Sequence, residues 1–144
     1  MPADTVQLVI TDSDGVLTDG MVGITEKGDE FSRFSVQDGL GVKMLQAVGI
    51  PVAIVSSRRS EALKHRADRL GIDLCFIGVH PKLPYLDEAM QSAGVDPANV
   101  AYLGDDLLDL PCLRKVGFPV AVDNAREEVK EVASYVTTAR GGHG

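Results

Sequence analysis

The stretch LVITDSDGVLTDG, residues 8–20, is an apolar run followed at once by two aspartates and a glycine turn. Its β-branched residues favour a buried strand. In open parallel α/β sheets, ligands bind at the carboxyl ends of the strands. A strand ending in Asp12-Ser13-Asp14-Gly15 would therefore direct two carboxylates into such a crevice. Asp and Gly are also ordinary turn formers, so the motif alone fits a polar turn equally well.

Strand-like and helix-like segments alternate along the chain. Short apolar runs predict strands over residues 6–10, 51–55, 74–77, 99–103 and 119–121. Apolar residues at helical spacing predict helices over residues 40–48, 60–70, 84–93, 107–116 and 126–133. This alternation is typical of βαβ units and predicts an α/β, Rossmann-like, three-layer sandwich with a mostly parallel central sheet.

One segment departs from that alternation. The runs 21–25 and 30–36 flank the turn Glu26-Lys27-Gly28-Asp29. A glycine within a short polar connection between two such runs predicts a β-hairpin. We expect a single domain over residues 1–144, with the hairpin protruding as a flap at about 21–36 beside the end of the first strand.

Composition narrows the classes of partner. The chain has 144 residues, a net charge of −7, no basic run and no Trp, which argues against nucleic acid, because backbone binding needs a basic face. A small phosphorylated substrate remains compatible with this charge. The amino end MPADTVQ has no signal-peptide pattern, and no apolar run approaches membrane-spanning length. Cys75 and Cys112 are too few for a disulfide framework, so we expect a cytoplasmic protein.

Polar side chains follow several predicted strands. Each alone has an ordinary structural explanation, such as a turn, a helix start or a solvated lysine. Together they would lie on one rim of the sheet: Asp12, Asp14, Ser56, Arg58, Lys82, Asp105, Asp106 and Asp109.

Phosphoryl transfer is the chemistry that such a rim permits. An aspartate that attacks a phosphoryl group must overcome repulsion, which Mg²⁺ offsets through oxygen ligands. Asp12, Asp105, and either Asp106 or Asp109 can supply those ligands, together with the Asp14 carbonyl. Lys82 would hold the phosphate as a point charge. Positioning of the phosphoryl group by the metal ion and this lysine is most of what the reaction requires.

Asp12 as nucleophile would form an aspartyl-phosphate. Asp14 would protonate the leaving alcohol and then activate water. On a strand, a residue two positions from the nucleophile shares its face only while the strand continues, so we expect the turn at Gly15 to set the direction of Asp14. Ser56 and nearby N–H groups would hydrogen-bond a phosphoryl oxygen.

With these residues in order, the chain resembles the haloacid dehalogenase superfamily of aspartate-nucleophile phosphatases. The likeness covers nearly the whole chain and rests on DSDGVLTDG, SSRRS, Lys82 and GDDLLD. The segments FSVQDGLGVKML, HRADRLGI and RKVGFPVAV are most similar to a capless group that acts on phosphates of keto-sugar acids. That resemblance implies no cap domain and a homotetramer assembled around the hairpins, whose neighbouring subunits help close the site.

The resemblance also implies roles. Asp12 looks like the nucleophile and a metal ligand, and Asp14 like the general acid and base and a ligand through its carbonyl. Ser56 and Lys82 look like phosphate holders, and Asp105 like a direct metal ligand.

Further roles follow from the same likeness. Asp106 would complete the acidic site, and Asp109 would support Lys82 or Ser56. Arg58 and Arg66, with Ser57, would face the sugar acid, whose carboxylate suits a guanidinium fork.

Two departures from the group bear on the substrate. Ser56-Ser57 stands where the family often has Thr-Gly, and the tail Gly141-Gly142-His143-Gly144 lacks the arginine of the family's Gly-Gly-Arg-Gly. An octulosonate 8-phosphate is the first expectation, and a nine-carbon keto-sugar-acid 9-phosphate is its nearest rival.

Two non-phosphatase hypotheses stay open at this point. A degenerate, non-catalytic oligomerisation module of sugar-nucleotide metabolism would be expected to lose the acid pair or Lys82, and both are present. A two-component receiver carries its acid pair on the first strand and its phospho-acceptor on a middle strand. The order here is the reverse, which favours the phosphatase.

Overall fold

The structure is a computed structural model that describes residues 3–144. Its strands are β1 Leu8–Thr11, β2 Gly23–Ile24, β3 Glu30–Phe31, β4 Val52–Ser56, β5 Cys75–Ile77, β6 Val100–Gly104, β7 Phe118–Ala121 and β8 Tyr135–Val136. Its α-helices are α1 Val36–Ala47, α2 Glu61–Leu70, α3 Leu83–Ala93, α4 Leu110–Leu113 and α5 Glu127–Val132. Short 3₁₀ turns cover Ala3–Thr5, Pro97–Asn99 and Leu107–Asp109.

Six strands form one parallel sheet in the order β5-β4-β1-β6-β7-β8. The central strand β1 pairs on both sides, with Ile10 opposite Ala53 of β4 and Tyr102 of β6. The chain first winds outward through β4 and β5 and then returns to β6. The strand order therefore reverses between β1 and β6, which is where ligands bind in such sheets.

Helices cover both faces of the sheet, as the alternating pattern predicts. On one face, residues of α3, α4 and α5, such as Leu86 and Val129, pack against Leu8 and Tyr102. On the other face, α1 and α2 pack against β4, with Leu63 beside Ile54 in the same buried cluster. Burying an aliphatic side chain of this size stabilises the fold by about 1.5–3 kcal/mol, so the two cores fix the three-layer sandwich.

The predicted hairpin is present, although its strands are short. Gly23 pairs with Phe31 and Ile24 with Glu30 in an antiparallel ladder separate from the main sheet. The turn between them is closed by the Gly28 N–H, which donates to the Thr25 carbonyl at 2.9 Å. The hairpin follows β1 closely enough to lie beside the carboxyl end of the sheet.

Several element boundaries differ from the prediction. The first α-helix begins at Val36 rather than Leu40, because the Ser35 hydroxyl accepts from the Gln37 and Asp38 N–H groups and caps it. Residues 107–116 form a 3₁₀ turn and one short helix, since Asp106 and Asp109 cap each other's backbone there. None of the helices found within residues 3–144 has the length and apolar character to cross a membrane.

Candidate active site

A cleft opens at the carboxyl ends of β1, β4 and β6. It is lined by Asp12, Asp14, Gly20, Ser56, Ser57, Arg58, Lys82, Asp105, Asp106, Leu108 and Asp109. All but one of the residues that the sequence nominated for the site therefore come together. Arg66 is the exception: its Nη2 donates to the Ser35 carbonyl at 3.0 Å, and its guanidinium lies 5.9 Å from the centre of the Phe34 ring.

Lys82 joins two buried carboxylates at the base of the cleft. Its Nζ lies 3.0 Å from Asp12 Oδ1 and 2.7 Å from Asp109 Oδ1. Asp12 Oδ1 also accepts from the Ser13 N–H at 2.7 Å. The attraction of both carboxylates raises the pKa of Lys82 even though burial opposes its charge. The predicted surface-lysine alternative is excluded by this position, because only 3% of Lys82 is exposed.

Asp109 is completely buried and organises the loop after β6. The Tyr102 hydroxyl donates to its Oδ1 at 2.7 Å, and the N–H groups of Asp105 and Asp106 donate to Oδ2 at 3.0 and 3.2 Å. Burial and the Asp109 charge raise the pKa of Tyr102 well above its ordinary value. The tyrosine therefore stays a hydroxyl donor. Asp109 contacts Lys82, and its role as a support for that lysine stays a prediction.

Three carboxylates lie close together, and Lys82 pairs with two of them. Asp12, Asp105 and Asp109 each place an oxygen within 4.8 Å of the others. Burial, reinforced by the charge of Asp109, raises the pKa of Asp12 to about 6. Burial and the charge of Asp12 raise the pKa of Asp105 to about 8. Without a cation, the charged forms of these clustered carboxylates are unfavourable. A divalent cation such as Mg²⁺ would stabilise the charged forms, so the cluster fits a metal site.

The turn after β1 separates the two aspartates of the motif. Gly15 has φ +84°, and a Cβ there would stand 2.6 Å from Asp105 Cγ, so only glycine fits. Asp14 is thereby directed away from Asp12 and towards Arg58. The guanidinium contacts both Asp14 oxygens, with Nε 2.6 Å from Oδ2 and Nη2 3.1 Å from Oδ1, and this pairing raises the pKa of Arg58.

Arg58 also connects the cleft to the hairpin. Its Nη1 donates to Glu30 Oε2 at 3.0 Å, and its Nη2 lies 3.4 Å from the Ser32 hydroxyl oxygen. The sequence singles out neither hairpin residue, because Glu30 lies on a strand of two residues and Ser32 directly follows it, and neither position has a distinctive pattern. The sequence nevertheless predicts that the hairpin lies beside the end of the first strand, which is close enough for a contact with Arg58.

The remaining nominated residues differ in their surroundings. Ser56 is buried at the end of β4, and the Ser57 hydroxyl is buried without a hydrogen-bond partner among the described residues. The Asp106 carboxylate accepts from the Leu107 N–H and lies 3.9 Å from Arg126 Nε. Asp106 is thus not one of the three acids that meet within 4.8 Å, although it lines the cleft, and its role as a metal ligand stays a prediction.

This arrangement defines a class of protein. An aspartate at the end of the central strand, a lysine beside it and an acidic loop on the neighbouring strand form a site for metal-assisted phosphoryl transfer on an α/β sheet. The receiver hypothesis does not fit, because Asp12, the candidate acceptor, directly follows β1 and the acid pair follows β6.

Comparison with known proteins identifies the family. Residues 80–144 match the family model of haloacid dehalogenase-like hydrolases. The chain is 39% identical over 142 residues to 3-deoxy-D-manno-octulosonate 8-phosphate phosphatase of Yersinia pestis, covering 99% of this chain and 76% of that protein. The chain belongs to this family of haloacid dehalogenase-like phosphatases, and it is a phosphatase.

Solved structures agree with the fold. The Moraxella catarrhalis phosphatase, in complex with magnesium ion, phosphate ion and KDO (3-deoxy-D-manno-octulosonate), superposes with a TM-score of 0.95 at 39% identity; the match covers 99% of this chain and 82% of that one. The cobalt-bound Haemophilus influenzae phosphatase gives 0.95 at 41% identity, covering 99% and 83%. The predicted fold and family are confirmed, and the expected Mg²⁺ cofactor agrees with the magnesium ion of the Moraxella complex and with the acidic cluster here.

Proposed function

We propose that this chain hydrolyses the phosphomonoester of an eight-carbon keto-sugar acid, 3-deoxy-D-manno-octulosonate 8-phosphate. The observation that carries the proposal is the contact of Asp12 with Lys82 beside Asp105, at the point where the strand order reverses. The likeness to phosphatases named for that substrate, over 99% of this chain and 76% and 82% of two of theirs, supports it.

Asp12 is the nucleophile, and its Oδ2 is the attacking atom. The Lys82 and Ser13 contacts both fall on Oδ1, so the other oxygen is available to bond phosphorus. The new bond joins Oδ2 to phosphorus as the bond from phosphorus to the sugar oxygen breaks, and Asp14 gives its proton to that oxygen. In the second half, Asp14 takes a proton from water, which attacks phosphorus and releases Asp12 with inorganic phosphate.

Mg²⁺ neutralises charge on the phosphoryl group when bound, and Asp12 and Asp105 with the Asp14 carbonyl are the residues that would hold it. Asp106 stays a further proposed ligand at the rim of the same cleft. Lys82 places a fixed positive charge next to the nucleophile. The Ser56 hydroxyl, at the end of β4, would hold a phosphoryl oxygen.

Arg58 places a guanidinium group in the cleft that can bind the carboxylate of a sugar acid. In the free protein its guanidinium is occupied by Asp14 and Glu30. A substrate carboxylate that binds the same guanidinium, with Ser57 beside it, would release Asp14 for proton transfer. Arg66 is held outside the cleft of its own chain by its hydrogen bond to the Ser35 carbonyl, and its expected role towards the sugar acid stays a prediction.

A homotetramer is the proposed assembly. The hairpin exposes large apolar side chains, among them Met21 at 73% and Ile24 at 67%. One face of α1 is exposed in the same way, at Val36, Leu40, Met44 and Val48. Apolar surface of this kind marks interaction sites. Sedimentation velocity at micromolar concentration should show a tetramer, and a monomer alone would defeat the proposal.

The substrate is tested with a panel measured by phosphate release. The panel contains the octulosonate 8-phosphate, a nine-carbon keto-sugar-acid 9-phosphate and p-nitrophenyl phosphate, each with Mg²⁺ and with EDTA. We expect the highest kcat/KM for the first and loss of turnover in EDTA. A higher kcat/KM for the nine-carbon ester would replace the proposed substrate, and absence of turnover on all three would favour the non-catalytic module.

We place the reaction in the cytoplasm, where free thiols such as Cys75 and Cys112 stay reduced.

A further inference from the structure

The last residues of the chain lie flat against the turn that carries Asp14. The Gly142 N–H donates to the Val16 carbonyl at 2.9 Å. A Cβ at Gly141 would overlap the Gly15 carbonyl oxygen and stand 2.5 Å from its carbonyl carbon and 2.8 Å from the Thr18 carbonyl oxygen. Gly141 is not among the glycines with positive φ. The close approach of two backbones, rather than an unusual backbone conformation, therefore requires glycine at this position.

Asn124, just after β7, ties the tail and the turn together. Its Oδ1 accepts from the Gly141 N–H at 2.6 Å, and its Nδ2 donates to the Gly15 carbonyl at 3.0 Å. The Gly15 carbonyl is thus held by one amide and covered by one glycine. These residues are far apart in sequence, and no motif links them.

The turn is confined on its other side as well. A Cβ on Gly15 would collide with the Asp105 carboxylate, and the Gly15 N–H donates to the Thr18 hydroxyl at 3.2 Å. Gly15 therefore lies between the tail and the acidic cluster, with little room to move. The Gly15 carbonyl belongs to the peptide that joins Gly15 to Val16, and its displacement is passed to Asp14 through Gly15, whose own position is confined.

We propose that Gly141 and Asn124 are positioning residues that act as a clamp on the Asp14–Gly15 turn and so set where Asp14 meets the leaving oxygen. This inference rests on the proposed function, in which Asp14 is the general acid. The clamp touches no metal-ligating side chain, but it holds the backbone next to the Asp14 carbonyl, a proposed Mg²⁺ ligand, so each variant is assayed at a Mg²⁺ concentration shown to saturate it. Its effect reaches the reaction through the backbone of the turn.

The dependence of kcat/KM on the leaving group distinguishes a positioning role of the clamp from a purely structural one. An alkyl oxygen leaves poorly without a proton, whereas p-nitrophenolate is a stable anion and needs little acid assistance. General acid catalysis contributes about 10²–10⁴ in rate. A displaced Asp14 should therefore lower kcat/KM strongly for the sugar-acid phosphate and weakly for p-nitrophenyl phosphate. General loss of folded protein would lower both by the same factor.

The experiment compares Gly141→Ala with Gly41→Ala, a control in α1 where an added Cβ meets nothing within 4 Å. Both variants are checked for unchanged circular dichroism and then assayed on both substrates with saturating Mg²⁺. We expect Gly141→Ala to lower kcat/KM for the octulosonate 8-phosphate by about 10- to 100-fold and for the aryl ester by less than about threefold. The control should match wild type on both. Equal losses on the two esters would overturn the proposal.

Asn124 provides a second pair of variants that introduces no clash. Asn124→Ala removes both hydrogen bonds and should show the same selective loss. Asn124→Asp keeps the acceptor for the Gly141 N–H but replaces the donor to the Gly15 carbonyl with a second acceptor, so it should lose alkyl-ester activity as well. An Asn124→Ala variant indistinguishable from wild type would also overturn the clamp. If wild type itself fails to hydrolyse either ester, the proposed function fails first, and the two failures are thereby distinguished.

Discussion

Replacing Asp12 with asparagine should stabilise the metal-free protein while abolishing turnover. Asp12 is 7% exposed, and burial with the nearby charge of Asp109 raises its pKa from 3.8 to about 6. At pH 7.5 this difference corresponds to about 3 kcal/mol of unfavourable ionisation in the folded state. Asparagine removes that cost, which already includes the attraction between Asp12 and Lys82, while Lys82 keeps Asp109 as a partner and the buried amide is less well hydrogen-bonded than the carboxylate it replaces. We therefore expect a net gain of about 1–2 kcal/mol.

The gain should depend on pH with a definite sign. Between pH 3.8 and about 6, the folded protein holds the Asp12 proton more tightly than the unfolded chain does, so wild-type stability falls as pH rises through this window. Asparagine carries no such proton. The advantage of Asp12→Asn should consequently be largest above pH 6 and shrink towards zero near pH 4.

Urea unfolding in EDTA at pH 7.5 and pH 4.0 measures this directly. Asp29→Asn, an exposed position in the hairpin turn, is the matched control for loss of one negative charge and should shift the midpoint little. Added Mg²⁺ should then stabilise wild type more than Asp12→Asn, because the variant lacks a ligand. A variant that is less stable than wild type in EDTA at pH 7.5, or a gain that persists unchanged at pH 4.0, would refute the reasoning.

Three other outcomes follow from the same geometry. Lys82→Met should destabilise the protein by about 3–5 kcal/mol and remove activity, because it leaves two buried carboxylates unpaired; urea unfolding checks this, and a loss under 1 kcal/mol would contradict it. The apparent Kd for Mg²⁺ should rise as pH falls through about 8 and then about 6, where Asp105 and Asp12 gain protons; calorimetric titration giving a pH-independent Kd would count against these ligands. Arg58→Ala should raise KM for a keto-sugar-acid phosphate and leave that for p-nitrophenyl phosphate unchanged; equal increases would exclude a carboxylate-reading role.

Much of the site could be predicted because parallel strands bring their carboxyl ends to one edge. Asp12 follows β1, Ser56 ends β4 and Asp105 follows β6, and these three strands are neighbours in the sheet. An apolar run followed by a polar residue therefore gave both the strand and the location of the side chain. The division of the chain into one domain stays a prediction.

Contacts between distant loops could not be predicted in the same way. Tyr102 sits in the apolar run of β6, and nothing in that run indicates that its hydroxyl binds Asp109. The strand β8 has two exposed residues and no alternation to detect. The apolar spacing that predicts the first helix includes Leu40 and Val48, yet both are exposed and Val42 is the buried one. Apolar residues at helical spacing indicate that a helix has an apolar face. They do not indicate whether that face packs against the core or against another molecule.

The hydrogen bonds of Asp109 indicate which carboxylates of the cluster are available to bind the metal ion. A carboxylate offers about four lone-pair directions, and Asp109 fills them with Lys82, Tyr102 and two backbone N–H groups. Its charge is therefore compensated by the protein, although it lies within 4.8 Å of its neighbours. Asp12 shares only the one lysine, and Asp105 has the higher pKa of the two, at about 8. The uncompensated charge thus lies on Asp12 and Asp105, from which we infer that the cation binds between these two and that Asp109 serves to hold Lys82 against the nucleophile.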